Sequence, residues 1–214
     1  MTEQNKKIQK VPEPTIKRLS AYLNHLRHIN VENKEYISAP SIAKDLKLDP
    51  TQVTKDIAYT GIQGKTKIGY KTEELIKFIE EFLGYGRTDI AFLVGAGNLG
   101  KAVICYEGFK QAGLKIVAAF DNDELKIGEK VNDIEIFDIK KLGNLIERLH
   151  VQIGVITTPS YAAQEVCDVM VNAGIKAIWN FSQAILKTTT DVTVVNTSLY
   201  HDLAILMSKI NKKK

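Results

Sequence analysis

The residues with the most specific chemistry are Gly95-Ala96-Gly97-Asn98-Leu99-Gly100. Asp89 to Val94, just before them, is an unbroken apolar stretch that reads as a strand; Ala102, Val103, Tyr106 and Phe109, just after, follow helical spacing. In that setting the three glycines permit a tight turn, close approach of backbone to a pyrophosphate, and close helix–strand packing. The helix start adds unpaired N–H groups and the positive end of a dipole. A second strand, Ile116 to Phe120, ends in Asp121, 21 residues after Gly100. An acid there accepts from a ribose 2′-hydroxyl and disfavours a 2′-phosphate, so the expected ligand is NAD(H) rather than NADP(H). Thr157-Thr158-Pro159 follows the strand Val151 to Ile156 and falls at the rim near the nicotinamide half. A plain strand-to-helix turn with a threonine cap accounts for these three residues equally well.

Turnover needs more than a bound dinucleotide. A dehydrogenase sets a proton donor or acceptor beside the nicotinamide, yet His25, His28, His150 and His201 all fall in or at the end of helical patterns. About 114 residues follow the glycine motif, which leaves no room for a separate substrate domain. Cys105 and Cys167 lie 62 apart without a CxxC or a Cys/His cluster, so neither a disulfide framework nor a metal site is expected. The expectation is binding without catalysis.

A second kind of chemistry precedes residue 87. Residues 1–87 hold 15 basic and 11 acidic side chains, whereas 88–214 hold 14 of each, so the whole formal charge of +4 lies in the first segment. That surplus suits a phosphate-facing module and also an ordinary solvated surface. Ile16, Leu19, Leu23, Leu26 and Ile29 mark an amphipathic helix over Glu13 to Ile29. Ser38 caps a short helix bearing Ile42, Ala43 and Leu46, and Asp49-Pro50 opens a third through Gln52, Val53, Ile57 and Ala58. Two short helices so tightly joined read as a helix-turn-helix. Its second helix would bring Gln52, Thr54 and Lys55 to a major groove. Gly61 to Tyr70, with Lys65 and Lys67 among glycines and β-branched residues, is written like a basic hairpin wing, and a helix over Thr72 to Leu83 closes the unit. A helical accessory domain with a lysine-bearing loop remains the alternative.

These signals imply a two-part chain: a winged-helix domain at 1–85, an α/β Rossmann domain with a doubly wound parallel sheet at 88–196, and a final helix at 197–214 with the apolar stripe Leu199, Leu203, Leu206, Met207 and Ile210. Further strands are expected at Ile134 to Ile136, Ala177 to Trp179 and Val192 to Val195, with helices near Ile139 to Leu149 and Ala162 to Ala173. No apolar run is long enough to span a membrane, and the lysine-rich stretch Met1 to Lys10 lacks the apolar core of a signal peptide, so a cytoplasmic protein is expected.

Over nearly its whole length the chain resembles the Rex family of redox-sensing transcriptional repressors. The resemblance is carried by Val11-Pro-Glu-Pro-Thr-Ile-Lys-Arg-Leu19, Gln52-Val-Thr-Lys-Asp56, Gly69-Tyr70, Gly95 to Gly100, Phe120-Asp-Asn-Asp123, Thr157-Thr-Pro159, Ala173-Gly-Ile-Lys176 and Asn180-Phe181. It implies a homodimer that exchanges its last helix, binds a palindromic DNA operator and releases it on binding NADH. It also implies that Lys126, Tyr106 and Asn180 join the cofactor site. Arg18 and Tyr59 join Gln52, Thr54, Lys55, Lys65 and Lys67 as expected DNA contacts.

The chain departs from the family pattern in several places. Thr54 stands where the family usually has arginine, Thr60 where it has an aromatic, and Gly64-Lys-Thr-Lys-Ile68 where its wing is glycine-rich. Ser198 stands where an aspartate would pair with the tyrosine at 106, Leu199 where an aromatic would follow, and Ser182-Gln183 where the family has Ala-Pro. Three alternatives from other classes remain open: an NAD-dependent oxidoreductase with an accessory domain, a module for another nucleotide such as CoA, and a DNA-binding protein without a redox response.

Overall fold

The computed structural model describes residues 11–31, 34–85 and 87–211, with only the backbone for Asn30, Val31 and Asn211. The lysine-rich stretch 1–10 and the last three residues of the expected terminal helix lie outside them. The chain divides after Arg87 into two compact units.

In the first unit, α1 (Glu13–Val31) buries Leu19, Tyr22, Leu23 and Leu26 completely. Ile16, expected in that stripe, is 42% exposed, while Thr15 is 3% exposed, because its hydroxyl donates to a buried carboxylate, Asp56. Ser38 caps α2 (Ala39–Leu46), which stops at Lys47 in the left-handed conformation. Asp49 then caps α3 (Pro50–Ala58) by accepting from the Gln52 N–H at 2.9 Å. Ile42, Ala43, Val53 and Ile57 face Leu75 and Ile79 of α4 (Thr72–Leu83) in one core. β1 (Tyr36–Ile37) pairs antiparallel with β2 (Tyr70–Lys71); at two residues each, these strands are too short for a periodic sequence signal. The wing is a tight turn closed between Lys65 and Gly69, with Lys67 at φ 67. Gly69 sits at φ 100 against the Ile37 carbonyl, so close that a Cβ would overlap it.

The second unit runs β3 (Asp89–Val94), α5 (Asn98–Cys105), α6 (Glu107–Gln111), β4 (Leu114–Asp121), β5 (Lys130–Val131) and β6 (Ile134–Asp138). A 3-10 turn (Ile139–Lys141) leads to α7 (Leu142–Leu149), β7 (Ile153–Ile156), α8 (Ser160–Asn172), β8 (Ala177–Asn180), β9 (Thr193–Asn196) and α9 (Leu199–Asn211). The strand order is β5-β6-β4-β3-β7-β8-β9, parallel except for the β5–β6 hairpin. That hairpin turns on Asn132 and Asp133, both at positive φ, as a two-residue turn between twisted strands requires.

Alternate residues of β3 serve the two faces, which explains its unbroken apolar run. Ala91 and Leu93 pack with Val103 and Ile104 of α5. Phe92 and Val94 pack with Leu142, Ile146, Val166 and Met170 of α7 and α8. One expectation differs from the structure: the helix after the glycine motif breaks at Tyr106 (φ −81, ψ 99). An irregular segment makes the parallel connection from β8 to β9. β3 lies between β4 and β7; the crossover from β3 to β4 through α5 covers one face and that from β6 to β7 through α7 the other, so a crevice opens beyond its carboxyl end.

Candidate functional site: a glycine-lined cleft and a helix-turn-helix

A cleft of about 660 Å³ occupies that crevice. Gly95, Gly97, Asn98 and Leu99 form its floor, Asp121, Asn122, Asp123 and Lys126 one corner, and Thr157, Thr158 and Pro159 the rim toward α8. Ile139, Tyr161, Ala162, Val166 and Val169 extend the wall as a largely apolar stretch. The three glycines have separate physical reasons. Gly95 sits at φ 100, and a Cβ there would lie 2.9 Å from the Thr157 and Thr158 backbone. At Gly100 a Cβ would collide with the Gly95 carbonyl oxygen, whereas at Gly97 it would meet nothing but the open cleft.

The rim is fixed by backbone and hydroxyl contacts. Thr157 N–H donates to the Val94 carbonyl at 2.9 Å, and its hydroxyl to the Gly95 carbonyl at 2.8 Å. Ala96 is buried beneath the loop. Asp121 stands at the cleft wall but turns under that loop: Oδ2 accepts from the Ala96 N–H at 2.8 Å and Oδ1 from the Asp123 N–H at 3.0 Å. Lys126 Nζ lies 3.3 Å from Asp121 and 3.2 Å from Asp123. Burial lowers the Lys126 pKa, but hydrogen bonds to Asp123 and Asp121 outweigh it and raise it overall. The Leu125 N–H, then Lys126, hold the Asp123 carboxyl below its ordinary range. Asp123 is the more open carboxylate of this corner, and sequence reasoning passed over it; the acid–any–acid spacing from Asp121 was the available signal.

An NAD(H) molecule fits these residues. The buried Thr158 Oγ1 has no hydrogen-bond partner, and the space above Gly97 is where a backbone-hugging pyrophosphate needs room. When bound, such a group would supply redox-dependent charge at the rim.

Four expected cofactor residues do not line the cleft: Ala96 and Gly100 are buried within the glycine loop, and Tyr106 and Asn180 lie elsewhere. Tyr106 is 61% exposed, stacks edge-on against Phe109 at 4.7 Å, and opens on a separate groove of about 120 Å³. Asn180 is fully buried: its amide donates to the Ala184 carbonyl and Asn196 Oδ1, and its oxygen accepts from the Ser182 N–H and hydroxyl. That set exhausts its hydrogen-bonding capacity. Ser198 accepts from the His201 N–H at 3.3 Å, as an N-cap of α9 does.

In the first unit, Thr54, Lys55, Lys65 and Lys67 are exposed, and Tyr59 and Gln52 are half-buried. Lys65 Nζ stands 5.6 Å over the Tyr36 ring, and the Thr54 hydroxyl donates back to the Pro50 carbonyl at 2.9 Å. Arg18 differs from expectation: its guanidinium is turned onto buried Asp56, at 2.6 Å from Nε and 2.9 Å from Nη2, and so binds α1 to α3. The hydrogen bonds to Asp56 raise the Arg18 pKa further. Among the described residues, no cluster of His, Cys, Asp or Glu is arranged to hold a metal ion, and no helix is long and apolar enough to cross a membrane.

Comparison with known proteins matches both units. Residues 10–58 match the family model of a putative DNA-binding protein N-terminus, and residues 87–184 that of a CoA binding domain. The redox-sensing transcriptional repressor Rex of Bacteroides thetaiotaomicron is 40% identical over 97% of both chains. Rex of Treponema denticola is 42% identical over 96% of this chain and 99% of its own. Among solved structures, RSP, a Rex-family repressor, in complex with β-NAD+ and operator DNA, superposes with a TM-score of 0.89 at 31% identity, covering 95% of this chain and 94% of that one. Its complex with β-NADH gives 0.88 at 30%, covering 96% of each. A winged-helix unit and a glycine-lined cleft, joined in this order and matched end to end at these identities, make the chain a member of the Rex family of redox-sensing transcriptional repressors.

Proposed function

We propose that the protein is a dimeric repressor that holds palindromic operator DNA through its amino-terminal units and lets go when NADH occupies the cleft above Gly95 to Gly100. The observation that carries this reading is the pairing, in one chain, of that cleft with a helix-turn-helix that exposes Lys55 and is followed by a wing exposing Lys65 and Lys67. Its solved relatives bear NAD+ with operator DNA in one crystal and NADH in another. Gly95, Gly97, Asn98 and Leu99 would hold the pyrophosphate, Asp121, Asp123 and Lys126 the adenosine ribose, and Thr157 to Pro159 the nicotinamide half. Thr54 and Lys55 on α3 and Tyr59 at its C-cap, with Lys65 and Lys67 on the wing, would face DNA. Arg18 acts from behind, through Asp56. Tyr106 would reach the cofactor only with help from a second copy, whose position 198 offers a serine hydroxyl where the family pattern has a carboxylate.

Binding without turnover is favoured because the relatives matched over nearly the whole chain are named transcriptional repressors. CoA, suggested by the match over residues 87–184, is disfavoured by the two carboxylates at the ribose corner, which repel a 3′-phosphate. A repressor of this kind works beside the chromosome, in the cytoplasm. Ligand control needs only that NADH bind the DNA-releasing arrangement of the dimer more tightly than the DNA-holding one. The test is fluorescence anisotropy on a labelled palindromic operator at fixed salt. Release by NADH and not by NAD+ is expected; tight binding indifferent to both would leave a DNA-binding protein with another signal.

A further inference from the structure

The most heavily hydrogen-bonded side chain in the amino-terminal unit is a carboxylate inside α3. Asp56 is fully buried and accepts five hydrogen bonds. Oδ2 takes Arg18 Nε at 2.6 Å and the Tyr22 hydroxyl at 2.8 Å. Oδ1 takes Arg18 Nη2 at 2.9 Å, the Thr15 hydroxyl at 3.1 Å, and Gln52 Nε2 at 2.9 Å from one turn earlier in the same helix. Burial pushes the Asp56 carboxyl up, but the bonds from Arg18, Tyr22 and Gln52 outweigh it and hold the group ionised. An ionised carboxylate only accepts, so the Gln52 amide must turn its nitrogen inward and keep its oxygen away.

Donor counting gives the consequence. A glutamine amide has two N–H groups and one carbonyl oxygen. Asp56 consumes one N–H, leaving one donor beside one acceptor. Gln52 sits in the first turn of α3, half-buried, next to the exposed Thr51 and Lys55, and first-turn residues of a recognition helix are those that reach base edges. In the major groove adenine presents one acceptor, N7, beside one donor, N6; guanine presents two acceptors, N7 and O6.

Building on the DNA-binding reading above, we infer that Gln52 is an adenine-specifying residue and that Asp56 sets its polarity. The remaining N–H meets N7, the oxygen meets N6, and guanine is refused because no second donor is free to offer it. Asp56 touches no base; it is a positioning residue.

Binding-site selection from a randomised duplex pool, using the full chain and its Gln52→Met variant, tests this. The native chain is expected to select adenine at one symmetry-related position in each half-site, preferred over guanine by roughly ten- to a hundredfold. Gln52→Met is expected to lose the preference there and nowhere else, with the salt dependence of binding unchanged. Asp56→Asn frees the amide to turn, since asparagine both accepts and donates, so the adenine-to-guanine ratio at that position should shrink severalfold. Because the ratio is read within one protein, a loss of stability does not disturb it, and Gln52→Met carries the test if Asp56→Asn fails to fold. Two results overturn the inference while leaving operator binding intact: Gln52→Met preserves every positional preference, or the position it alters is guanine in the native selection. A native chain that enriches no sequence overturns the DNA-binding reading, and this inference with it.

Discussion

Single atoms decide two properties of this protein. At Gly97 the backbone is ordinary (φ −76) and a methyl group would meet only the open cleft. Gly97→Ala is therefore expected to fold with an unchanged urea midpoint and to lose at least about tenfold in NADH affinity, as the methyl takes the pyrophosphate's place. Titration of NADH fluorescence beside a urea melt checks both halves; undiminished affinity would remove Gly97 from the phosphate floor. Asp56 gives a pH prediction. Its folded pKa lies below the ordinary carboxylate value of about 4, so its contribution to stability is present above that value and disappears as pH falls through the depressed one. Asp56→Ala should cost about 3–5 kcal/mol at pH 7 by stranding Arg18, and the gap between variant and native chain should narrow in acid. Urea midpoints from pH 7 to pH 3 measure this, and a pH-independent gap would count against an ionised Asp56.

At the scale of elements, α9 stands out. Leu199, Leu203, Leu206, Met207 and Ile210 are each at least 50% exposed, along a helix of 13 residues. Isolated helices this short are marginal in water, and such a stripe is a burial surface without its other half. If a second copy covers it, each half-exposed leucine contributes about half of the roughly 1.5–3 kcal/mol of a full burial. Leu203→Glu with Leu206→Glu should then weaken dimerisation by at least about a hundredfold in sedimentation equilibrium, and weaken binding to a palindromic operator with it. A dimer unaffected by the pair would place the interface elsewhere. The start of the same element is capped by the neutral Ser198, and the acidic side chain of its first turn is Asp202.

For the whole molecule, the argument is one of linkage. On the proposed reading, a dimer with two arrangements that differ in affinity for NADH and for operator couples the two ligands, and such coupling is reciprocal. If NADH weakens operator affinity by some factor, commonly about 5- to 150-fold for such couplings, saturating operator must weaken NADH binding by that same factor. Calorimetric titration of NADH into the protein, with and without operator duplex, should return it. An NADH affinity untouched by operator, alongside NADH-driven release, would mean that NADH acts by another route.

How far the sequence alone carried these conclusions follows from the range of the interactions concerned. The glycine cradle, the helix starts at Ser38 and Asp49, and β3 were legible because each depends on neighbours within a few residues: a cap on the N–H three positions on, a glycine on its own φ, a strand on its own apolar run. The two-residue strands β1 and β2, the hairpin at Asn132-Asp133 and the break at Tyr106 were not legible. Too few residues repeat there to reveal a period. Long-range polar partnerships were invisible for another reason. Arg18 and Asp56 lie 38 positions apart, and only folding shows that the arginine neutralises a buried acid. The sequence does not show that Asp121, at the ribose corner, also accepts from the Ala96 N–H, or that Asn180 spends its four hydrogen bonds inside the fold. The sequence by itself determined which chemistries the chain can host, because those reside in local backbone geometry and residue type. Tertiary structure alone decided which polar groups remain free to perform them, because a side chain's hydrogen bonds are spent on whatever the fold brings within 3 Å.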